Sequence, residues 1–272
     1  MSEHLTESPN PYRVADDTWI IPELFPAGPD AVFAVNSSVI IGAEPVIVDT
    51  GTKLNRDRWT ESVWSLVEPE DVRWIFLSHD DHDHVGNLVE ALDRCVNATL
   101  VTTWFSVERL SGDVHLPLER CRWINDGERW DAGDRELVAM RPPVWDSPTT
   151  RGLFDTRSRF YWAVDGFSSM LPAHTIDVAE LPVDMWEETF RFVNRLISPW
   201  HTLVDPAKYD AHLKRLEALG ITAVGSAHGA GTTGSAIARG FELLREAFSM
   251  EEAPLPGQAD LEAILAATLE AA

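Results

Sequence analysis

The stretch LSHDDHDHVG, Leu77 to Gly86, sets His79, Asp80, Asp81, His82, Asp83 and His84 side by side. Histidine and aspartate supply the nitrogen and oxygen donors that hold borderline-to-hard divalent cations. On an extended segment, side chains two residues apart face the same way. His79, Asp81 and Asp83 therefore share one side, and Asp80 and His82 point away. His84 turns in where the strand gives way to helix. Just upstream, VRWIFLS is a short apolar run of the kind a buried strand uses, and the cluster sits at its carboxyl end. A polar run where a buried strand exits is a place for chemistry, whereas the same letters in a surface tail would be a solvated face.

The chain of 272 residues is long enough to bury a large core, and its 44% hydrophobic and 24% charged residues are those of a globular protein. A net charge of −22 argues against nucleic acid and against an anionic membrane surface as partners, since both demand clustered Lys and Arg. Cys95 and Cys121 form no CxxC pair, so neither a disulfide framework nor a thiolate metal site is expected. The opening MSEHLTESPNPYRV lacks the apolar core of a signal peptide, and no apolar run reaches membrane-spanning length, which makes a cytoplasmic location the expectation.

Strand-like and helix-like segments alternate along the chain. TWIIP, AVFAVNSSVIIG and AEPVIVDTG read as strands, NRDRWTESVWSLV as a helix, VGNLVEALDRC as a helix and ATLVTTWF as a strand. Short strands broken by turns run from Cys121 to Met140, and GLFDTRSRFYWAVD reads as a hairpin that ends at Asp165. Helices follow at DMWEETFRFVNRLI, PAKYDAHLKRLEAL and SAIARGFELLREAF, with the strand GITAVGSAHG delivering His228 into a glycine-flanked loop. A proline-rich hinge and a small helix close the chain.

His79-x-Asp81-x-Asp83-His84 with Gly86 resembles the HxHxDHxxG signature of the metallo-β-lactamase fold superfamily, with Asp in the second ligand position. AVNSSVIIG and VIVDTG resemble its opening strands, WAVDGF supplies Asp165 where that superfamily has a metal-bridging Asp, and SAHG supplies His228 for its last His. The likeness covers roughly residues 30 to 235. It implies an α+β fold, a four-layer αββα sandwich, in one domain over 1–253 with a helical tail at 254–272. It also implies two divalent metal ions held by His79, Asp81, Asp83, His84, Asp165 and His228. A carboxylate at Asp81 is similar to the HxExDH pattern of the flavodiiron proteins, and WDSPTTRGLFD resembles their HWPDSM segment. The resemblance thus favours iron, with zinc or manganese as alternatives, and a site that binds or activates dioxygen or nitric oxide.

The sequence departs from that pattern in one place. Where the superfamily has a further His, RPPVWDSPTT offers Pro143 or Val144, neither of which binds metal. Either the first position is weak, giving a mononuclear protein or a non-enzymatic sensor, or His174 in SMLPAHTID substitutes. His82 is read as an outer hydrogen bonder or an exposed side chain. His115, His201 and His212 are read as structural, with His201 also next to the pocket as an option, and Trp145 as a pocket wall. The alternative activity is a metal-dependent hydrolase of an ester, lactone, thioester or phosphoester, in which Asp83 orients the attacking water. The few dozen residues after His228 leave no room for a flavin domain, so a reductive cycle would need a separate electron donor. A small-molecule ligand is expected, and a homodimer is implied by the resemblance alone.

Overall fold

The alternation of apolar side chains in very short strands explains the layering. In Val46-Ile47-Val48 the two valines join one buried cluster and Ile47 joins another, as a side-chain period of two requires. Leu137 and Ala139 face one way and Val138 and Met140 the other in the same manner. Each sheet is thus apolar on both faces and must be covered on both. The computed structural model describes residues 9–27 and 31–270, so the reading of the first eight residues lies outside the described ones.

The first sheet holds seven strands in chain order: β1 (Tyr12–Ala15), β2 (Thr18–Pro26), β3 (Val32–Ile40), β4 (Val46–Val48), β5 (Trp74–Phe76), β6 (Thr99–Thr102) and β7 (Cys121–Trp123). The first four run antiparallel, and β4 to β7 run parallel. The second sheet holds β8 (Arg129–Asp131), β9 (Glu136–Met140), β10 (Gly152–Asp155), β11 (Phe160–Trp162), β12 (Ala223–Gly225) and β13 (Thr232–Thr233), in reverse order from β13 to β8. Only its β11–β12 pair is parallel.

Three cores separate four layers. Between the sheets, Ile20, Val46, Val48, Phe76 and Val101 meet Trp130, Leu137, Leu153, Phe160 and Trp162. Outside the first sheet, α1 (Arg56–Trp64), α2 (Leu88–Arg94) and α3 (Trp104–Leu110) pack Trp59, Val63, Leu92 and Val107 onto Ile47, Ile75 and Leu100. Outside the second sheet, α4 (Val183–Ile197), α5 (Pro206–Glu217) and α6 (Ser235–Phe248) pack Phe190, Leu213 and Phe241 onto Tyr161 and Val224. The expected αββα sandwich is the observed one. The terminal α7 (Gln258–Glu270) carries exposed Leu261 and Leu265. Among the described residues, no helix is long and apolar enough to cross a membrane.

One element differs from its sequence reading. ATLVTTWF does not continue as a strand: β6 stops at Thr102, and Trp104 and Phe105 open α3. Thr103 is the reason, because its hydroxyl accepts the Ser106 amide and caps the helix. The aromatic pair, a strand former by composition, is overridden by that cap.

Candidate metal centre

The extended run after β5 ends at Asp81. The amides of His84 and Val85 both donate to the Asp81 carbonyl, at 3.0 and 3.1 Å, and the resulting turn swings Asp83 and His84 back beside His79. This turn is fixed by its neighbour, the loop after β4. Thr50 N donates to His84 O and Gly86 N to Gly51 O, both at 2.8 Å. A Cβ on Gly86 would come within 2.4 Å of the Gly51 carbonyl oxygen, so only glycine allows the two backbones this close.

Asp165 and His228 arrive from the second sheet. Asp165 follows Val164, a β-branched residue at φ 58°, and Phe167 in the same turn stands at φ 63°. Such conformations cost of order 1–3 kcal/mol each and persist where surrounding structure imposes them. Here the Val164 carbonyl is gripped by Ala227 N at 2.7 Å, and Ser168 Oγ donates to the carbonyl of Asp165. The His228 loop is tied to β3 by Asn36, whose Nδ2 donates to the carbonyls of Ser226 and Gly229, both at 2.8 Å.

All three imidazoles are braced through Nδ1 and present Nε2 to one point. His84 Nδ1 lies 2.9 Å from Asp49 Oδ2, His228 Nδ1 3.0 Å from Ala34 O, and His79 Nδ1 3.1 Å from Ser78 Oγ. Bracing of one ring nitrogen fixes the tautomer and aims the other. Asp49 is the hub of this support: fully buried, at φ 57°, it also accepts from Ser78 N, Ser78 Oγ and Trp162 Nε1.

The inward nitrogens surround Asp165. Its Oδ1 is 3.3 Å from both His84 Nε2 and His228 Nε2, and its Oδ2 is 3.6 Å from His79 Nε2. Asp83 Oδ2 lies 3.4 Å from His228 Nε2 and 3.6 Å from His84 Nε2, and Asp81 Oδ2 lies 3.6 Å from His79 Nε2. Asp165 is 2% exposed and His84 1% exposed, yet both Asp165 oxygens and His84 Nε2 make no aligned hydrogen bond. Buried polar atoms in that state are rare and call for an explanation such as an ion. The donors fit a divalent cation in number, type and convergence. Burial raises the Asp165 carboxyl, but the imidazoles of His79, His228 and His84 outweigh it and hold it well below the usual range. Burial pushes His84 down, and Asp49, Asp165 and Asp83 more than reverse this, leaving it well above its ordinary value.

The departure in the loop after β9 has a structural answer. Pro143 lies against Gly166, next to Asp165, and Val144 is buried in the outer core; neither side chain carries a donor atom. Asp146, not singled out in the sequence, does: its Oδ1 is 3.9 Å from His79 Nε2, and its donor atom lies within 4.8 Å of those of His79 and Asp81. Burial, with the nearby Asp165, raises the Asp146 carboxyl to about 6. His174 does not join these groups; its ring rests 5.9 Å from Tyr12. Trp145 is no wall of the cavity beside Asp83. It stacks on Trp200 at 4.2 Å, meets His212 edge-on, lies under the Arg141 guanidinium, and accepts Trp200 Nε1 on its carbonyl. His201 is buried between the carbonyls of Ser198 and Met250, and His212 reaches Pro142 O. Asp80 turns away onto Arg109 (2.6 Å) and Thr149 (2.7 Å). His82 lines a cavity of about 1200 Å³ that also touches Asp83, Lys53, Arg56 and Val89.

The profile of the metallo-beta-lactamase superfamily matches residues 30–102, which include the strands and the ligand turn. With the αββα layers and the converging His and Asp side chains, this makes the chain a metallo-β-lactamase-fold protein. Its likeness within that fold is to the flavodiiron proteins. A Nostoc sp. protein provisionally named diflavin flavoprotein A 2 is 29% identical over 133 residues, 48% of this chain and 23% of that one. The anaerobic nitric oxide reductase flavorubredoxin of Salmonella typhi is 21% identical over 63% of this chain and 36% of its own. Among solved structures, the flavodiiron protein of Giardia intestinalis superposes with a TM-score of 0.76 at 15% identity, over 89% of this chain and 60% of that one. Rubredoxin oxygen:oxidoreductase of Desulfovibrio gigas does so with 0.74 at 14% identity, over 88% and 62%. The chain thus spans less than two thirds of the length of these relatives.

Proposed function

We propose that this chain holds two divalent metal ions, iron by preference, and binds or activates dioxygen or nitric oxide between them. One observation carries the reading. Asp165 is buried with both oxygens lacking hydrogen bonds, one turned to His84 and His228 and the other to His79. A carboxylate so placed suits a bridge between two cations better than a salt bridge to one imidazole. His79, Asp81 and Asp165 would hold one ion, and Asp83, His84, His228 and Asp165 the other. Iron bound there would supply open coordination positions and electrons for a diatomic ligand.

The chain's own residues do the rest. Asp49, Ala34 O and Ser78 keep each imidazole proton on Nδ1, so that Nε2 stays free to donate its lone pair. Phe33 stacks on His228 at 4.5 Å and limits water on that side. The oxygen-rich donor set moves preference from zinc toward iron or manganese. A domain through residue 253 with a tail over 254–272, a cytoplasmic location, a separate electron donor and pairing of two chains complete the proposal. Metal analysis of protein purified without added metal tests it. About two irons per chain with a visible absorption band is the expected result. Zinc instead would turn the reading to a hydrolase in which Asp83 orients water.

A further inference from the structure

The two ends of Asp165 face unlike surroundings. Around Oδ1 stand two nitrogens and one further carboxylate, from His84, His228 and Asp83. Around Oδ2 stands one nitrogen, His79 Nε2, which also faces Asp81 at 3.6 Å and Asp146 at 3.9 Å. His79 is 1% exposed, whereas the Asp81 and Asp146 side chains are 38% and 41% exposed, so the second group opens to solvent on its carboxylate side. The Asp146 loop is built to stay where it is. The Trp145 carbonyl is held by Trp200 Nε1 at 2.6 Å, Arg141 N donates to Asp126 at 2.6 Å, and Ser147 Oγ bonds Thr149, which in turn reaches Asp80 beside Asp81. This loop is therefore anchored on both flanks of Asp146, and on the Ser147 side it is tied to the ligand turn through Asp80.

We propose that Asp146 closes the first metal position, giving it one nitrogen and three carboxylates beside a second position of two nitrogens and two carboxylates. The two positions are then chemically inequivalent. The carboxylate-rich, solvent-open position prefers a hard ion such as Mn²⁺ or Fe²⁺ and holds Zn²⁺ less tightly, and the enclosed, nitrogen-richer position takes either. The inference rests on the metal reading above and adds to it a specific ligand and an order of loading.

The test titrates the metal-free full-length chain separately with Mn²⁺ and Zn²⁺, counting ions per chain by elemental analysis and following Mn²⁺ by paramagnetic resonance. The expected result is two Mn²⁺ per chain, and two classes of Zn²⁺ affinity. Asp146→Ala, at a half-exposed side chain whose loss leaves the cores intact, keeps one ion. It weakens the other by more than the roughly 10–100-fold that outer ligand supports command. Asp146→His raises Zn²⁺ affinity of that same class. A folded Asp146→Ala chain that still binds two ions with unchanged affinity overturns the inference. A wild-type chain holding a single ion, lost in His228→Ala, also overturns it while leaving a metal protein. A wild-type chain that binds neither ion sinks both readings.

Discussion

Two segments bring carboxylates to the same point by different means. The turn from His79 to His84 is held by backbone: its amides close on Asp81 O, and it lies against the Thr50–Gly51 loop with no room for a Cβ at Gly86. The loop carrying Asp146 is held by side chains, with Trp145 wedged among Trp200, His212 and Arg141, and Asp126 gripping the Arg141 amide. Backbone contacts fix position with little dependence on side chains, apart from the glycine that the close approach at Gly86 demands. A side-chain clamp is adjustable, and its geometry depends on residues 55 to 70 positions away in the chain.

The largest effect is expected where both segments converge. Asp165→Ala should abolish both metal ions at once, measured as ions per chain, because among the described residues no other buried carboxylate stands between the two nitrogen groups. Gly86→Ala attacks the backbone-held segment. Overpacking typically costs about 1–3 kcal/mol, and the 2.4 Å approach places this case at the upper end, read by chemical denaturation. Trp200→Phe attacks the clamp and removes one hydrogen bond, a loss of about 1 kcal/mol. Its sharper signature is weakened binding of one ion while the other is unchanged.

Acid should loosen the clamp selectively. Asp126 is raised by burial but lowered further by the Arg141 amide and the Arg215 guanidinium, so its folded pKa lies below its ordinary value. Its contribution is present above the ordinary carboxylate range near about 4 and is lost as pH falls through the folded value. The stability gap between wild type and Asp126→Asn should therefore be full near neutrality and close in acid; a gap that widens in acid would contradict the sign. Smallest of all, His174→Ala should leave metal stoichiometry and affinity unchanged, since the imidazole joins none of the converging donor groups and its ring lies 5.9 Å from that of Tyr12.

The same contrast explains what could be read from the sequence. His79, Asp81, Asp83 and His84 were legible as a group because they are contiguous. The period of an extended chain accounts for His79 and Asp81, whereas the turn closing on Asp81 O brings Asp83 and His84 beside them. Asp165 and His228, each just beyond a strand, were legible as ligands through the resemblance of WAVDGF and SAHG to the superfamily pattern. Asp146 was hidden: its place depends on an aromatic clamp assembled from three separate segments, which no local spacing encodes. Asp49 was visible only as a letter near the end of VIVDTG, although its contact with His84 Nδ1 at 2.9 Å, backed by three further donors, makes it the brace of His84. The layers followed from alternation, whereas α3 was missed because Trp104 and Phe105 favour strands and the signal lay in the cap at Thr103.

Trp162 donates its indole N–H to the carboxylate that steadies His84, and its ring lies fully buried between the two sheets. A fluorophore thus stands one carboxylate and one imidazole away from the proposed cation pocket, in a dry setting shielded from solvent quenching. Loading or stripping of the pocket should change its emission, which gives the molecule an intrinsic optical gauge, legible once Trp162→Phe has been recorded as the blank.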